Sequence, residues 1–359
     1  MTVFAHPEFD EHEVVHEAHD IATGLRTIIA IHSTVLGPAA GGCRRWHYAD
    51  SADALTDVLR LSRGMTYKNA IAGLPFGGGK AVILADPGQG ATPALFRAFG
   101  RVVNDLNGRY ITAEDVGMTM GDMEHVALET DYVTGRAQSG NAAGGDPSPW
   151  TALGVFLGIE SAVRARLGRD SVSGLHVAVQ GVGNVGYHLC ARLHAAGASL
   201  SVADVNPTNL ARAVGEFGAT AVDPDQILFM DADVVAPCAL GNLFHKGNIT
   251  DIRATVIAGG ANNQLATEAD GDALRARGIL YAPDYVINGG GIICVHHEHQ
   301  GKSTSDDVLA DVRRIPVRLK EIFERASTTD RSTNDIANEM ARAIVAAGRK
   351  QKIEEALSA

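Results

Sequence analysis

The chain has 359 residues, 45% of them hydrophobic and 20% charged, with 40 glycines, the profile of a globular protein long enough for two domains. Its formal net charge of −11 comes without a long basic run, which argues against nucleic acid or an anionic membrane as the main partner. No apolar segment is long enough to span a bilayer, the first residues lack a basic stretch followed by an apolar run, and Cys43, Cys190, Cys238 and Cys294 form no CxxC pair. The expectation is a cytoplasmic protein with neither a disulfide framework nor a zinc site.

In chain order, residues 25–32 are β-branched and read as a strand. Residues 51–64 carry Ala54, Leu55, Val58 and Leu61 at helical spacing, with Ser51 as cap. Residues 64–84, GMTYKNAIAGLPFGGGKAVIL, are almost free of other charge and hold Lys68 and Lys80, twelve positions apart. A lysine among glycines and apolar residues is desolvated, which disfavours the ammonium and brings its pKa toward neutrality. One lysine of such a pair can trade protons while the other holds an anion; position alone does not say which. Residues 80–85 read as a buried strand ending at Asp86 and Pro87. Residues 109–113 read as another, which delivers Glu114 and Asp115 at its end. Asp115 is also placed to cap a helix starting at Val116.

Residues 139–149, SGNAAGGDPSP, are small, flexible and Pro-bounded, and read as a hinge between domains at 1–138 and 139–329. A helix follows from about Thr151 to Leu167. Residues 175–180 read as a strand, Gly181-Val182-Gly183-Asn184-Val185-Gly186 as a turn, and a helix then runs to a stop at Gly197. The next strand ends at Asp204, 23 residues after Gly181 and close to the roughly 20 expected of a dinucleotide-binding unit. Gly181 permits the tight turn, Gly183 lets a pyrophosphate approach the backbone, and Gly186 allows close helix–strand packing. Asp204 would accept from ribose hydroxyls and repel a 2′-phosphate, and Val205, Asn206 and Pro207 offer no arginine to rescue it, so NAD is favoured. Short apolar runs at 232–237, 254–259 and 279–283 alternate with helical stretches, the pattern of a parallel, Rossmann-type sheet. The tail from about Val308 is helical. His296, His297 and His299 have no supporting ligand spacing and read as a solvated loop; no metal is expected.

The pieces GPAAGG (37–42), MTYKNA (65–70), PFGGGK (75–80), TAEDVG (112–117), GVGNVG (181–186), APCA (236–239) and GGANNQL (259–265) occur in order and nearly end to end. With them the chain resembles the family of glutamate, leucine, phenylalanine and valine dehydrogenases, most of all its leucine branch, with some phenylalanine-type features. The resemblance implies an α/β protein of two domains with a cleft between them: an N-terminal substrate-binding and oligomerisation domain, on which a C-terminal helix at about 330–359 packs back, and a Rossmann domain. It implies reversible oxidative deamination of an L-amino acid to a 2-oxo acid and ammonia with NAD, in a homo-oligomer.

Matched residue by residue, Lys68 would hold the substrate carboxylate, Lys80 would activate water and relay protons, and Asp115 would take and give the proton at the amine. Gly41 and Gly42 would let the substrate approach. Asn262 would contact carboxylate and nicotinamide, Asn288 the nicotinamide ribose and Thr151 the carboxamide, with Cys238 and Ala239 near the cofactor. Ala40, Met65, Ala113, Ile292 and Val295 would line an apolar side-chain pocket. Glutamate dehydrogenases carry a lysine where this chain has Ala40, and burying a second carboxylate without that cation is costly. A leucine- or valine-type substrate is therefore expected. The alternatives are an aromatic, phenylalanine-type substrate, an amine dehydrogenase, and a non-catalytic NAD-binding regulator; retention of Lys68, Lys80, Asp115 and Asn262 argues against the last two.

Overall fold

The computed structural model describes residues 2–86, 88, 90–136, 140–239 and 241–358. The strand end expected at Pro87, the first hinge residue Ser139 and the expected boundary at 138/139 lie outside the described residues. The chain forms two compact units. Unit 1 comprises residues 1–146, 294–307 and 341–359, and unit 2 comprises residues 147–293 and 308–340. Among the described residues, no helix is long and apolar enough to cross a membrane.

In chain order, unit 1 contains β1 (Val14–Asp20), β2 (Leu25–Ser33), β3 (Ala39–Ala40), β4 (Cys43–Trp46), α1 (Ser51–Ala72), β5 (Gly77–Leu84), α2 (Pro93–Asp105), β6 (Tyr110–Ile111) and α3 (Met120–Ala127). Its sheet has the order β1-β2-β5-β3-β6, with β4 also paired to β5. β1–β2 and β2–β5 are antiparallel; β3 and β4 run parallel to β5. The period of two along the strands sorts the side chains into two layers. Ile29, Ile31, Ala81 and Ile83 join Phe96, Phe99, Val103 and Met123. Ile28, Ala30 and Val82 join Val58 and Leu59 of α1. Lys80 is even-numbered like Val82, so the pleat aims it into the α1 layer.

Helix α1 is longer than expected. Asp50, not Ser51, caps it through the Asp53 N–H, and it ends at Gly73 in the left-handed conformation. It runs through Gly64 because the residues beyond gain burial: Thr66, Asn69, Ala70 and Ile71 are all buried, which offsets the roughly 1 kcal/mol that a helical glycine costs. The close packing of α1 on β5 depends on Gly78, where a Cβ would fall 2.1 Å from the Thr66 backbone nitrogen.

The remaining elements are α4 (Ser148–Leu167), β7 (His176–Gln180), α5 (Asn184–Ala195), β8 (Ser199–Ala203), α6 (Pro207–Phe217), β9 (Thr220–Ala221), β10 (Val234–Pro237), β11 (Val256–Ile257), α7 (Glu268–Ala276), β12 (Leu280–Tyr281), α8 (Asp284–Ile287), α9 (Gly290–Gln300), α10 (Ser305–Val312), α11 (Ile315–Thr329) and α12 (Thr333–Ser358). Unit 2 is built on a sheet of order β12-β11-β10-β7-β8-β9, parallel throughout. From β7 the chain steps outward through β8 and β9, then crosses to β10 on the other side. The point where order reverses lies between β7 and β10, where open α/β sheets bind ligands at their carboxyl ends. This is the expected Rossmann-type architecture.

Two expectations need correction. His296, His297 and His299 are not in a solvated loop: they lie on α9, with His296 and His297 buried. Phe76, at the entry to β5, packs edge-on against His296 at 5.0 Å, and that apolar burial draws the imidazoles inward. Asp115 caps no helix: α3 starts at Met120, and Thr119 and Asp122 form its capping box.

Candidate active site

In unit 1, β3, the following turn and β4 are threaded between β5 and the segment after β6. Cys43 pairs with Ala81 on one side and with Glu114 on the other. Lys80 and Asp115 therefore meet across this segment. Lys80 is only 5% exposed, and its Nζ lies 2.8 Å from Asp115 Oδ2. Gly42 has to be glycine, because a Cβ there would fall 2.8 Å from Asp115 Cβ and 2.7 Å from Glu114 O. Gly41 is confined likewise by Gly79 O and the Met65 side chain, and its carbonyl accepts from Tyr110 Oη at 2.7 Å. The paired glycines are thus required by the protein's own packing.

Burial alone would push the Asp115 carboxyl up. The Lys80 ammonium, then Arg44, the Lys80 hydrogen bond and the Val116 N–H together outweigh it, and the carboxyl is held down at about 2. Its neighbour Glu114 goes the other way: burial, then Asp146, Asp122 and Asp115, push it above the usual range. One anion is thus fixed beside Lys80.

Of the other expected residues in unit 1, Lys68 and Met65 lie half-buried one turn apart on α1, and Met65 Cγ stands 3.0 Å from the Cβ position of Gly41. Ala40, Ala113 and Val295 are buried. Sequence reading missed three participants. Arg44 Nε lies 3.3 Å from Asp115 Oδ2, and Arg44 Nη1 donates to Asp57 Oδ2 at 2.9 Å. Tyr48 Oη donates to that same oxygen at 2.7 Å. Arg44 stands two places beyond the GPAAGG piece, but nothing local points it at Asp115. Asn69 was also passed over: buried on α1, it donates through Nδ2 to Ala40 O and Gly77 O, tying β3 to β5.

In unit 2 the expected cofactor residues gather at the carboxyl ends of the strands. Cys238 N donates to Gln180 O at 2.6 Å and Gly181 N to Ala203 O at 2.7 Å. Asp204, at the end of β8, accepts from Val182 N at 2.8 Å and from Asn206 N at 2.7 Å, which locks the glycine-rich turn to the next strand. Gly183 is the N-cap of α5, with Asn184 and Val185 in its first turn. The glycines differ in a way that tests the fit of a dinucleotide. Gly181 has φ +85° with Ala239 against it, and a Cβ on Gly186 would fall 1.9 Å from Gly181 O. Gly183 has no atom within 4 Å of its Cβ position, so the protein leaves that space open to a ligand.

Asn288 Nδ2 donates to Asn262 Oδ1 at 2.7 Å and contacts Gly260 O, while Asn288 Oδ1 is buried without a hydrogen-bond partner among the described residues. An orphaned acceptor beside the strand ends fits a bound polar group. Thr151 Oγ1 donates to Pro147 O, and Ile292 is buried. Burial pushes the Cys238 thiol up to about 11, which makes it a packing group beside the turn. Among the described residues, no three His, Cys, Asp or Glu side chains are grouped to hold a metal ion.

A switch-point turn with an open glycine, a carboxylate one strand away and an orphaned amide oxygen, carried on one chain with a buried lysine–aspartate pair, define a dehydrogenase that uses a nicotinamide nucleotide. The chain belongs to the Glu/Leu/Phe/Val dehydrogenase family: residues 11–132 match its dimerisation-domain model and residues 208–356 its Glutamate/Leucine/Phenylalanine/Valine dehydrogenase model. It is 48% identical to leucine dehydrogenase of Geobacillus stearothermophilus over 98% of this chain and 95% of that one. It is 50% identical to the Bacillus subtilis leucine dehydrogenase over 90% and 88%. The crystal structure of L-tryptophan dehydrogenase from Nostoc punctiforme aligns with TM-score 0.79 at 44% identity, covering 94% of this chain and 97% of that one. The protein is an amino-acid dehydrogenase.

Proposed function

We propose that the enzyme carries out NAD-dependent, reversible oxidative deamination of an apolar L-amino acid, of leucine, isoleucine or valine type, to the 2-oxo acid and ammonia. The observation that carries this reading is the buried Lys80–Asp115 pair beside Gly41 and Gly42, with a buried Ala40 where a second substrate carboxylate would need a cation. Similarity to two leucine dehydrogenases at 48% and 50% identity supports the aliphatic choice. The smallness of Ala40 and the likeness to a tryptophan dehydrogenase favour a second reading, in which aromatic side chains are also accepted.

Lys68 fixes the α-carboxylate, so that Cα–H has one orientation. Asp115 takes a proton from the substrate ammonium, leaving the neutral amine whose lone pair assists loss of hydride from Cα. A bound nicotinamide would supply the hydride acceptor. Asp115 is neutral at this point, so the positive charge now on the C=N group is stabilised by its carbonyl dipole and by the substrate's own α-carboxylate. Lys80, having given its own proton to solvent, takes a proton from the water that attacks this carbon; Asp115 then returns its proton to the nitrogen as the C–N bond breaks, and the remaining hydroxyl proton passes to solvent as C=O forms. Gly183 and the α5 N-terminus would hold the pyrophosphate, Asp204 the adenosine ribose, and Asn262, Asn288 and Thr151 the nicotinamide end. Asp204, with no arginine in Val205, Asn206 and Pro207, favours NAD over NADP. Unit 1 mediates association into a homo-oligomer, as its dimerisation-domain match suggests.

The test is NADH absorbance with a panel of apolar L-amino acids, glutamate and the corresponding decarboxylated amines. NADH formation with leucine, isoleucine or valine is expected, and Lys80→Ala should abolish it while leaving NAD binding intact. Absence of NADH with every apolar L-amino acid would sink the proposal. Turnover of the amines instead would make the protein an amine dehydrogenase.

A further inference from the structure

Lys80 cannot be the constant counter-ion of Asp115. In the reaction proposed above it must lose its proton to act on water, and at that moment its charge is gone. A carboxylate that has to take and return one proton at a fixed place needs a partner whose charge does not change during the cycle. Arginine is the residue that meets this condition, because its guanidinium is not deprotonated in proteins.

Arg44 occupies that position. Both Lys80 Nζ and Arg44 Nε converge on the same oxygen, Asp115 Oδ2, at 2.8 and 3.3 Å. The Arg44 side chain is only 19% exposed, and its fork is gripped from the far side: Nη1 binds Asp57 Oδ2 at 2.9 Å, and Tyr48 Oη donates to that oxygen. The chain of groups Lys80, Asp115, Arg44, Asp57 alternates in sign, so each charge is compensated in a partly desolvated setting. It links four segments: β5, the stretch after β6, β4 and α1. Asp57 also lies on the helix that carries Lys68, so the network references Asp115 to the expected carboxylate-holding lysine.

We infer that Arg44, anchored by Asp57 and Tyr48, is a positioning residue that fixes the Asp115 carboxylate through the catalytic cycle. This inference rests on the proton-relay role proposed for Asp115. Its rank order is Arg44, then Asp57, then Tyr48, following distance along the network from Asp115. Lysine is not an adequate replacement at Arg44, because a single ammonium on a shorter span does not reproduce the guanidinium fork between Asp57 and Asp115.

The experiment uses the full-length enzyme with NAD and its best apolar amino acid, comparing the parent with Arg44→Ala, Arg44→Lys, Asp57→Asn, Tyr48→Phe and Lys80→Ala. A misplaced carboxylate should lower kcat about 100-fold in Arg44→Ala, with the amino-acid KM within about threefold of the parent, since the carboxylate contact is not touched. Asp57→Asn should lose about tenfold and Tyr48→Phe about twofold, each a smaller displacement of the same group. Methylguanidinium at a low, non-denaturing concentration should restore at least part of the Arg44→Ala rate and leave Lys80→Ala inactive.

Two outcomes overturn the inference. One is an Arg44→Ala or Arg44→Lys enzyme that turns over like the parent. The other is a lost rate that tracks a lowered melting temperature across the series with no rescue, which would make the network a structural tie. If Arg44→Ala does not fold, Arg44→Lys and Asp57→Asn decide the matter by the same kcat-against-KM split. An inactive parent, or an active Lys80→Ala, strikes the proposed function itself and is thereby distinguished from failure here.

Discussion

The two functional regions are finished to different degrees. In unit 1 the charged groups already satisfy one another: Lys80 and Arg44 share Asp115, and Asp57 holds Arg44. The glycines nearby are closed onto protein atoms. In unit 2 the proposed nucleotide region is left incomplete, with an open space at Gly183 and, among the described residues, a buried, unpartnered oxygen on Asn288. The proposed chemistry accounts for the difference. A proton relay needs preorganised charges whose geometry the protein itself enforces, whereas a phosphate cradle must leave its groups unsatisfied until the ligand supplies the partner.

The glycine-rich turn offers the largest effect with which to break this comparison. Gly186→Ala places a methyl group 1.9 Å from Gly181 O, so backbone has to move, and a loss of about 3 kcal/mol in stability is expected. Gly183→Ala meets nothing within 4 Å at an unstrained φ of −68°. Its melting temperature should equal the parent's while NAD affinity falls about tenfold or more, about 1.4 kcal/mol. Thermal melts beside NAD titration by calorimetry check both. Equal loss of stability in the two variants would mean that Gly183 serves folding, and the open-cradle reading would fail.

The self-satisfied half makes an opposite kind of prediction, one about stability without ligand. The Asp115 carboxyl sits at about 2, against 3.8 for an ordinary aspartate. A folded-state pKa below the unfolded one gives stability that is present above about pH 4 and lost as pH falls through 2, worth about 2 kcal/mol here. Denaturant midpoints between pH 5 and pH 2 should therefore fall more steeply for the parent than for Asp115→Asn. His32 contributes an earlier loss, because burial and then His12 push its pKa down to about 4. Its neutral form is the folded one, so stability declines as pH falls from 6.5 toward 4. That decline is common to both proteins and cancels in the comparison. Parallel slopes below pH 4 would show that the ion pair adds nothing to the fold.

How much of this was legible beforehand follows from the range of the contacts. The nucleotide turn was readable because strand, turn, helix and Asp204 fall within one short stretch, where spacing dictates geometry. Lys80 and Asp115 were singled out, but their contact depends on β3 and β4 threading between β5 and the segment after β6, a register that no local pattern encodes. Arg44 was hidden for the same reason: its partners Asp57 and Asp115 lie 13 and 71 residues away, with no periodicity linking them. The extension of α1 past Gly64 and the burial of His296 and His297 reflect packing that overrides local preference. β1 was invisible because, as a half-exposed edge strand with the sequence VVHEAHD, it carries no continuous apolar run.

The smallest effect tests whether the incomplete half also discriminates. Both oxygens of Asp204 are already committed to backbone N–H groups, Val182 and Asn206, so the carboxylate supports the turn as well as facing the expected ribose. In Asp204→Asn one amide oxygen replaces one carboxylate oxygen, but the amide NH2 now confronts the second backbone N–H. The turn should loosen slightly, and NAD should lose some kcat/KM. The repulsion against a 2′-phosphate disappears at the same time, and a modest gain for NADP is expected. The NAD-to-NADP ratio of kcat/KM should shrink about tenfold, the size of one charge interaction at a partly exposed site. A ratio that stays unchanged while both cofactors weaken together would assign Asp204 to the turn alone and move the source of cofactor choice elsewhere in unit 2.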